Sequence, residues 1–175
     1  MTDITNLSTV NVAISNYIAV VTMNNPPVNA QNRQFHDDLT LVFDVLSDRN
    51  DVRSIVLTGA GKCFSAGADI KGRASQESDL GDHWVHSRRV RECFYSIMEC
   101  RKPVIAAING AALGAGLAVA ASADILIASE SASVGLPEIN VGLLGGGRHA
   151  MRLFGHSKTR RLMLTGQRLS GAELY

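Results

Sequence analysis

Three stretches of the chain concentrate small residues: Phe64-Ser65-Ala66-Gly67-Ala68-Asp69-Ile70, Asn109-Gly110-Ala111-Ala112-Leu113-Gly114-Ala115-Gly116 and Gly142-Leu143-Leu144-Gly145-Gly146-Gly147. Side chains this small let a ligand come close to main-chain N–H groups. Unpaired N–H groups at the start of a helix also attract negative charge. The chemistry such segments can do is to hold a negatively charged ligand group close to the backbone. A carboxyl group stands close by in sequence, Glu138 after Pro137. It can carry a proton if burial among Val134, Leu136 and Ile139 tunes its pKa toward the working pH. The plain alternative is that the glycines only allow close helix–strand packing and that Glu138 is a surface residue beside a proline turn.

Other chemistries fit less well. A phosphate-binding loop of the form GxxxxGK followed by Ser or Thr fails, because Val56 takes the first glycine position and Cys63 follows Gly61-Lys62. A dinucleotide fingerprint fails at its third glycine, since Gly114-Ala115-Gly116 runs on as Leu117-Ala118-Val119. His83 and His86 lack a third metal ligand and read as helix or loop surface, so no metal site is expected. Ser65 and Ser122 have no recognisable histidine partner for a hydrolytic triad. His149, after Arg148, is a candidate second acid or base against the plainer role of packing a helix. Lys62 and Lys71 are candidate phosphate contacts against the plainer reading of solvated lysines. Asp69 and Asp124 read as turn and strand-start hydrogen-bonding groups.

These residues need a scaffold. Val10–Ile14 and Tyr17–Met23 are β-rich around Ser15-Asn16 and predict a hairpin. Phe35, Leu39, Val42, Phe43, Val45 and Leu46 recur at helical spacing over Gln34–Ser47. Ser54–Thr58 reads as a buried strand, and residues 71–82 as a polar, mobile loop. A second amphipathic helix follows, with Val85, Val90, Phe94, Ile97 and Met98 inward and Arg88, Arg89, Arg91 and Glu92 outward. Val104–Ile108 and Asp124–Ala128 read as further buried strands, and Leu117–Ser122 as a small-residue helix between them. Helices are also expected after Gly145–Gly147 and over Ser157–Leu164. The class is α/β with right-handed crossovers. Periodicity alone leaves a stacked β-β-α spiral and a doubly wound sheet both open.

Composition sets outer bounds. The 175 residues suffice for one domain with a real core, and 46% apolar with 19% charged residues is ordinary for a globular protein. A net charge of +1 gives no electrostatic case for nucleic acid or an anionic membrane. Cys63, Cys93 and Cys100 form no CxxC pair, which fits a reducing cytoplasm. No membrane span or signal peptide is expected.

Taken together, the motifs resemble the crotonase (enoyl-CoA hydratase/isomerase) superfamily. The segments that carry the resemblance are Asn25–Ala30, Gly61–Ile70, Lys102–Gly116, Asp124–Ala128 and Leu136–Gly142, in family order and spacing across nearly the whole chain. The resemblance implies a spiral ββα core and an acyl-CoA or enoyl-CoA substrate. It implies no separate cofactor, coenzyme A entering as part of the substrate. It also implies an oxyanion hole from the N–H groups of Ala68 and Ala115, and a CoA-binding surface including Ala66, Gly67, Asp69, Ile70, Gly114 and Pro137. Glu138 occupies the position of a family glutamate, whereas the second family glutamate is replaced by Ala118. That substitution favours a one-carboxylate reaction such as double-bond isomerisation, with hydration, C–C cleavage or hydrolysis as family variants. A non-catalytic acyl-CoA-binding homologue is the rival reading. The family's trimer or dimer of trimers is expected of the assembly, and the C-terminal helical region that builds it is read as missing or truncated.

Overall fold

The computed structural model describes residues 3–5, 7–74 and 79–174. β1 (Val10–Ser15) and β2 (Ile18–Met23) form the expected antiparallel hairpin. Its turn residues Asn16 and Tyr17 both have positive φ, 49° and 65°, as a two-residue turn matched to strand twist requires. The short β3 (Ala30–Gln31) leads into α1 (Arg33–Asp48). Asn32 caps that helix by accepting the Phe35 N–H, and Phe35, Leu39, Val42, Phe43 and Leu46 bury its inner face.

β4 (Ser54–Gly59), β5 (Cys63–Ser65) and β6 (Gly67–Ala68) come next, followed by α2 (Ile70–Ala74) and α3 (Leu80–Met98). Helical structure therefore replaces the loop expected at 71–74 and 80–82; residues 75–78 lie outside the described residues. Asp79 supplies the local signal for α3, since its side chain caps the Asp82 N–H. β7 (Val104–Ile108), β8 (Ala111–Leu113), α4 (Ala115–Ala121), β9 (Ile125–Ala128) and β10 (Ser133–Gly135) complete the pattern. A 3₁₀ turn at Pro137–Val141, α5 (Gly147–Ala150), α6 (His156–Thr165) and β11 (Arg168–Ser170) follow.

The topology decides between the two architectures left open by the sequence. One sheet has the order β1-β2-β4-β7-β9 and a second the order β11-β10-β8-β5. Each successive unit places its first strand in one sheet (β4, β7, β9, all parallel) and its second in the other (β5, β8, β10, also parallel). That is a β-β-α spiral. The core lies between the sheets and α1, around Phe35, Phe43, Phe64, Leu39 and Leu57. Two expectations about facing need correction. Ile125 and Ile127 are exposed rather than buried, because they lie on the outer face of the first sheet, which in register with Ile125 also exposes Val20 of the interior strand β2. On α3, Val85 is half exposed rather than inward, because that helix borders open space rather than solid core; Arg91 is exposed, as expected, at the border of the same cavity.

Candidate active site

The first small-residue turn is held from below by a buried polar cluster. The Ser65 hydroxyl donates to the Asn29 carbonyl at 2.7 Å and accepts the Gly67 N–H at 3.2 Å and the Gln31 amide at 3.2 Å. Asn29 Nδ2 in turn donates to the carbonyls of Ala60 and Cys63 at 3.1 and 2.8 Å. β3 pairs with β6, and Asp69 N–H donates to Gln31 O at 3.0 Å. Alternate amides of a parallel strand point to opposite sides. The Ala68 N–H therefore faces away from β3.

The second turn starts α4. Ala118 N–H donates to Gly114 O at 3.1 Å, so the Ala115 N–H lies ahead of the helical ladder, among the amides a helix leaves without an internal partner. The two turns touch. A methyl group added at Gly67 (φ +92°) would stand 2.6 Å from Leu113 O and 3.2 Å from Ala115 N.

Glu138, on the 3₁₀ turn, closes the arrangement. Gly114 has φ +56° and ψ −121°, and a methyl there would lie 2.7 Å from Glu138 Oε1. The carboxyl thus fills the space a side chain would occupy beside the peptide that carries the Ala115 N–H. Its Oε2 is buried and accepts no hydrogen bond from the chain. Burial pushes this carboxyl above its ordinary value of 4.5.

All of this borders a cavity of about 910 Å³, large enough for most of a small-molecule ligand. Its wall includes Ala66, Gly67, Ala68, Ile70, Gly114 and Ala115. Pro137, Glu138 and His149 also line it. Two sequence candidates lie elsewhere: Asp69 caps α2 by accepting the Gly72 N–H at 3.0 Å, and Lys62 is exposed beyond the wall. Asp124 likewise plays its expected local role, accepting the Val104 N–H at 2.8 Å. Ala118 is buried on the wall and offers no titratable group there. His149 packs edge-on against Phe94 at 4.8 Å, with a buried Nδ1 that finds no partner. Burial first, then the Arg152 and Arg148 charges, hold it below its ordinary value, which favours the neutral imidazole. His83 is surface, as expected, but His86 borders the cavity, contrary to the surface reading. Sequence reasoning missed His36 altogether. The available signal was a histidine next to Phe35 and three residues before Leu39 on the inward face of α1.

A family model described as enoyl-CoA hydratase/isomerase matches residues 13–175. The chain belongs to the enoyl-CoA hydratase/isomerase family. Within that family it is 38% identical over 170 residues to a "Probable enoyl-CoA hydratase" of Bacillus subtilis, covering 95% of this chain and 66% of that protein. It is 36% identical over 158 residues to a Mycobacterium tuberculosis protein named as a methyl-dioxo-hexahydroindene-carboxyl-CoA hydrolase, covering 90% of this chain and 63% of the other. Pseudomonas aeruginosa DspI superposes with a TM-score of 0.87 at 34% identity, covering 94% of this chain and 68% of that structure. The chain thus spans 66% and 63% of these two curated relatives. Among the described residues there is no cluster of three metal-ligating side chains, and no helix is long and apolar enough to cross a membrane.

Proposed function

We propose that this protein binds an enoyl-CoA thioester and moves its double bond, with Glu138 carrying the proton. The thioester oxygen sits between the Ala68 and Ala115 N–H groups. Glu138 takes a proton from the γ carbon of a 2-enoyl thioester, three positions beyond the carbonyl carbon, and the electron pair flows to the thioester oxygen as a dienolate. The two amides stabilise that charge; losing one such donor costs about 3–4 kcal/mol in comparable sites. Glu138 then returns the same proton to the α carbon. Run in reverse, the same steps convert a 3-enoyl to a 2-enoyl thioester. No redox partner is needed, and coenzyme A enters and leaves as part of the substrate. In this reading Lys62 and Lys71, outside the cavity wall, are candidate contacts for its phosphates, and the segment Ala66–Asp69 for its adenine. A trimer, or a dimer of trimers, in the cytoplasm is the setting this reading carries.

The observation that supports it is the Glu138 carboxyl, half-buried, unpaired at Oε2 and set against Gly114 beside the Ala115 amide. With Ala118 where a second acid would stand, one carboxylate serves isomerisation better than hydration. The test is product analysis of 2-enoyl- and 3-enoyl-CoA in deuterated water. Double-bond migration that is lost in Glu138→Gln supports the reading. Acyl-CoA binding without turnover in the wild type favours a non-catalytic binding protein. The relative named as a carboxyl-CoA hydrolase supports one other reading, C–C bond hydrolysis of a cyclic oxo-acyl-CoA. Ring-opened product, with no migrated double bond, would select it.

A further inference from the structure

The cavity has a second polar pole that the proton chemistry leaves unused. His36, in the first turn of α1, is the residue by which that helix reaches the cavity wall. It is 1% exposed, and neither ring nitrogen finds a hydrogen-bond partner among the described residues. Buried polar groups are normally paired, because one left unpaired gives up its hydrogen bonds to water for nothing in return. The rings of Phe35 and His86 pack edge-on against it at 5.9 and 6.0 Å and fix its orientation. They supply no hydrogen bond to it.

The wall of the cavity locates this pole. α3 presents His86, Val90, Phe94 and Met98 to the cavity at a helical repeat. His149 packs on Phe94, and α5, which carries His149, starts at Gly146 near the Glu138 carboxyl. His86 is eight residues before Phe94, so the His36–His86 pole is about 12 Å along α3 from that end. A ligand that fills the cavity can therefore touch Glu138 with one part and His36 with another.

We propose that His36 hydrogen-bonds an uncharged oxygen substituent, a hydroxyl or ketone, carried by the acyl group away from its thioester carbon. This rests on the acyl-CoA reading above and adds the class of acyl group. A neutral imidazole offers one donor and one acceptor, which matches a hydroxyl or a carbonyl and satisfies a nitrogen that is otherwise bare. Burial, with the nearby His86 and Arg89 charges, pushes His36 down to about 4, so it is neutral in ordinary buffers. Arg89 is already engaged with Asp37 at 2.9 Å, which leaves that guanidinium committed outside the cavity.

The test is calorimetric binding of unreactive acyl-CoA thioethers to the full chain, in a series of chain lengths. Each length is made with an alkyl, a hydroxyl, a keto and a carboxylate end. The expected result is that, at the length that reaches His36, hydroxyl or keto thioethers bind about ten-fold tighter than the alkyl one. His36→Leu abolishes or reverses that preference, and His36→Gln, which keeps hydrogen-bonding capacity, retains part of it. If all ends bind alike at every length, or the carboxylate binds best, the assignment of His36 is overturned while the acyl-CoA reading stands. If no thioether binds, both fall. The wild-type series decides the matter even if His36→Leu does not fold.

Discussion

Gly114→Ala separates a structural glycine from one that makes room for a catalytic group. Two costs follow from its geometry. A φ of +56° with ψ of −121° is a region that residues with a side chain rarely enter, and holding one there costs about 1–3 kcal/mol. The new methyl would also start 2.7 Å from Glu138 Oε1, so the carboxyl must retreat by about 0.7 Å to reach an ordinary contact at 3.4 Å. A displacement of about 1 Å at a reacting group costs about a hundred-fold in rate. The expected outcome is a fall in kcat/KM of about 30-fold or more, with a melting temperature lower by roughly 3–10 °C for a chain of this size. Gly145→Ala is the control. Its methyl would lie 3.9 Å from the same oxygen, and Gly145 is not among the positive-φ glycines. It should leave turnover within about two-fold and melting nearly unchanged. Enoyl thioester absorbance and thermal unfolding of the three proteins read both quantities. If Gly114→Ala turns over and melts like wild type, or if Gly145→Ala loses as much, Glu138 is not held where this reasoning places it.

Glu138→Gln should lower turnover by about 10²–10⁴-fold while acyl-CoA affinity stays near wild type, the range expected for removing a general acid–base group; calorimetry and kinetics on one preparation check both. Because burial raises the Glu138 pKa, the folded state holds its proton at pH values where the unfolded chain has released it. Stability then falls as pH rises from 4.5 through the folded pKa, so Glu138→Gln should unfold at higher urea than wild type at pH 7, with the gap closing near pH 4. His36 has the opposite sign. Its pKa drops from 6.5 to about 4, so the unfolded chain binds more protons across that window and stability is lost as pH falls through it, by about 3 kcal/mol in all. His36→Leu should flatten that slope in urea midpoints taken between pH 4 and 7. Asp38 accepts the Thr9 N–H and hydroxyl at 2.9 and 2.8 Å and the Gln34 amide at 2.7 Å, tying the start of the hairpin to α1. Asp38→Ala leaves the buried Thr9 donors unpaired and should cost about 1–3 kcal/mol, read as a lower urea midpoint at unchanged m-value.

Much of the scaffold was legible because it rests on local signals. The apolar spacing of α1, the hairpin around Asn16 and the runs at Ser54–Thr58 and Val104–Ile108 all reappear within a residue or two. The short strands β5, β6, β8, β10 and β11 were not, since two or three residues carry too little pattern and are fixed by partners far along the chain. α2 failed for a different reason: its cap, Asp69 on Gly72, looks like a turn until the backbone is seen. The exposure of Ile125 and Ile127 follows from their lying on the outer face of the sheet, in register with Ile105, Val56 and Val20, which depends on strand pairing and not on composition. At the site, Glu138, Ala68 and Ala115 could be picked from segment resemblance. His36 could not, because a single histidine on an apolar helix face says nothing about its lack of partners until the surrounding groups are placed.

The ladder between β5 and β8 pairs Ser65 with Ala112. Ala68 lies three residues beyond the first and Ala115 three beyond the second. The two alanines therefore hold corresponding positions just past that ladder on adjacent coils of the spiral, and the turns that carry them meet: a methyl on Gly67 would stand 3.2 Å from Ala115 N. The pitch of the spiral works as a ruler. A fold wound in this way sets one turn against the next at each step between coils, and small residues decide at which step a ligand can come close to the backbone.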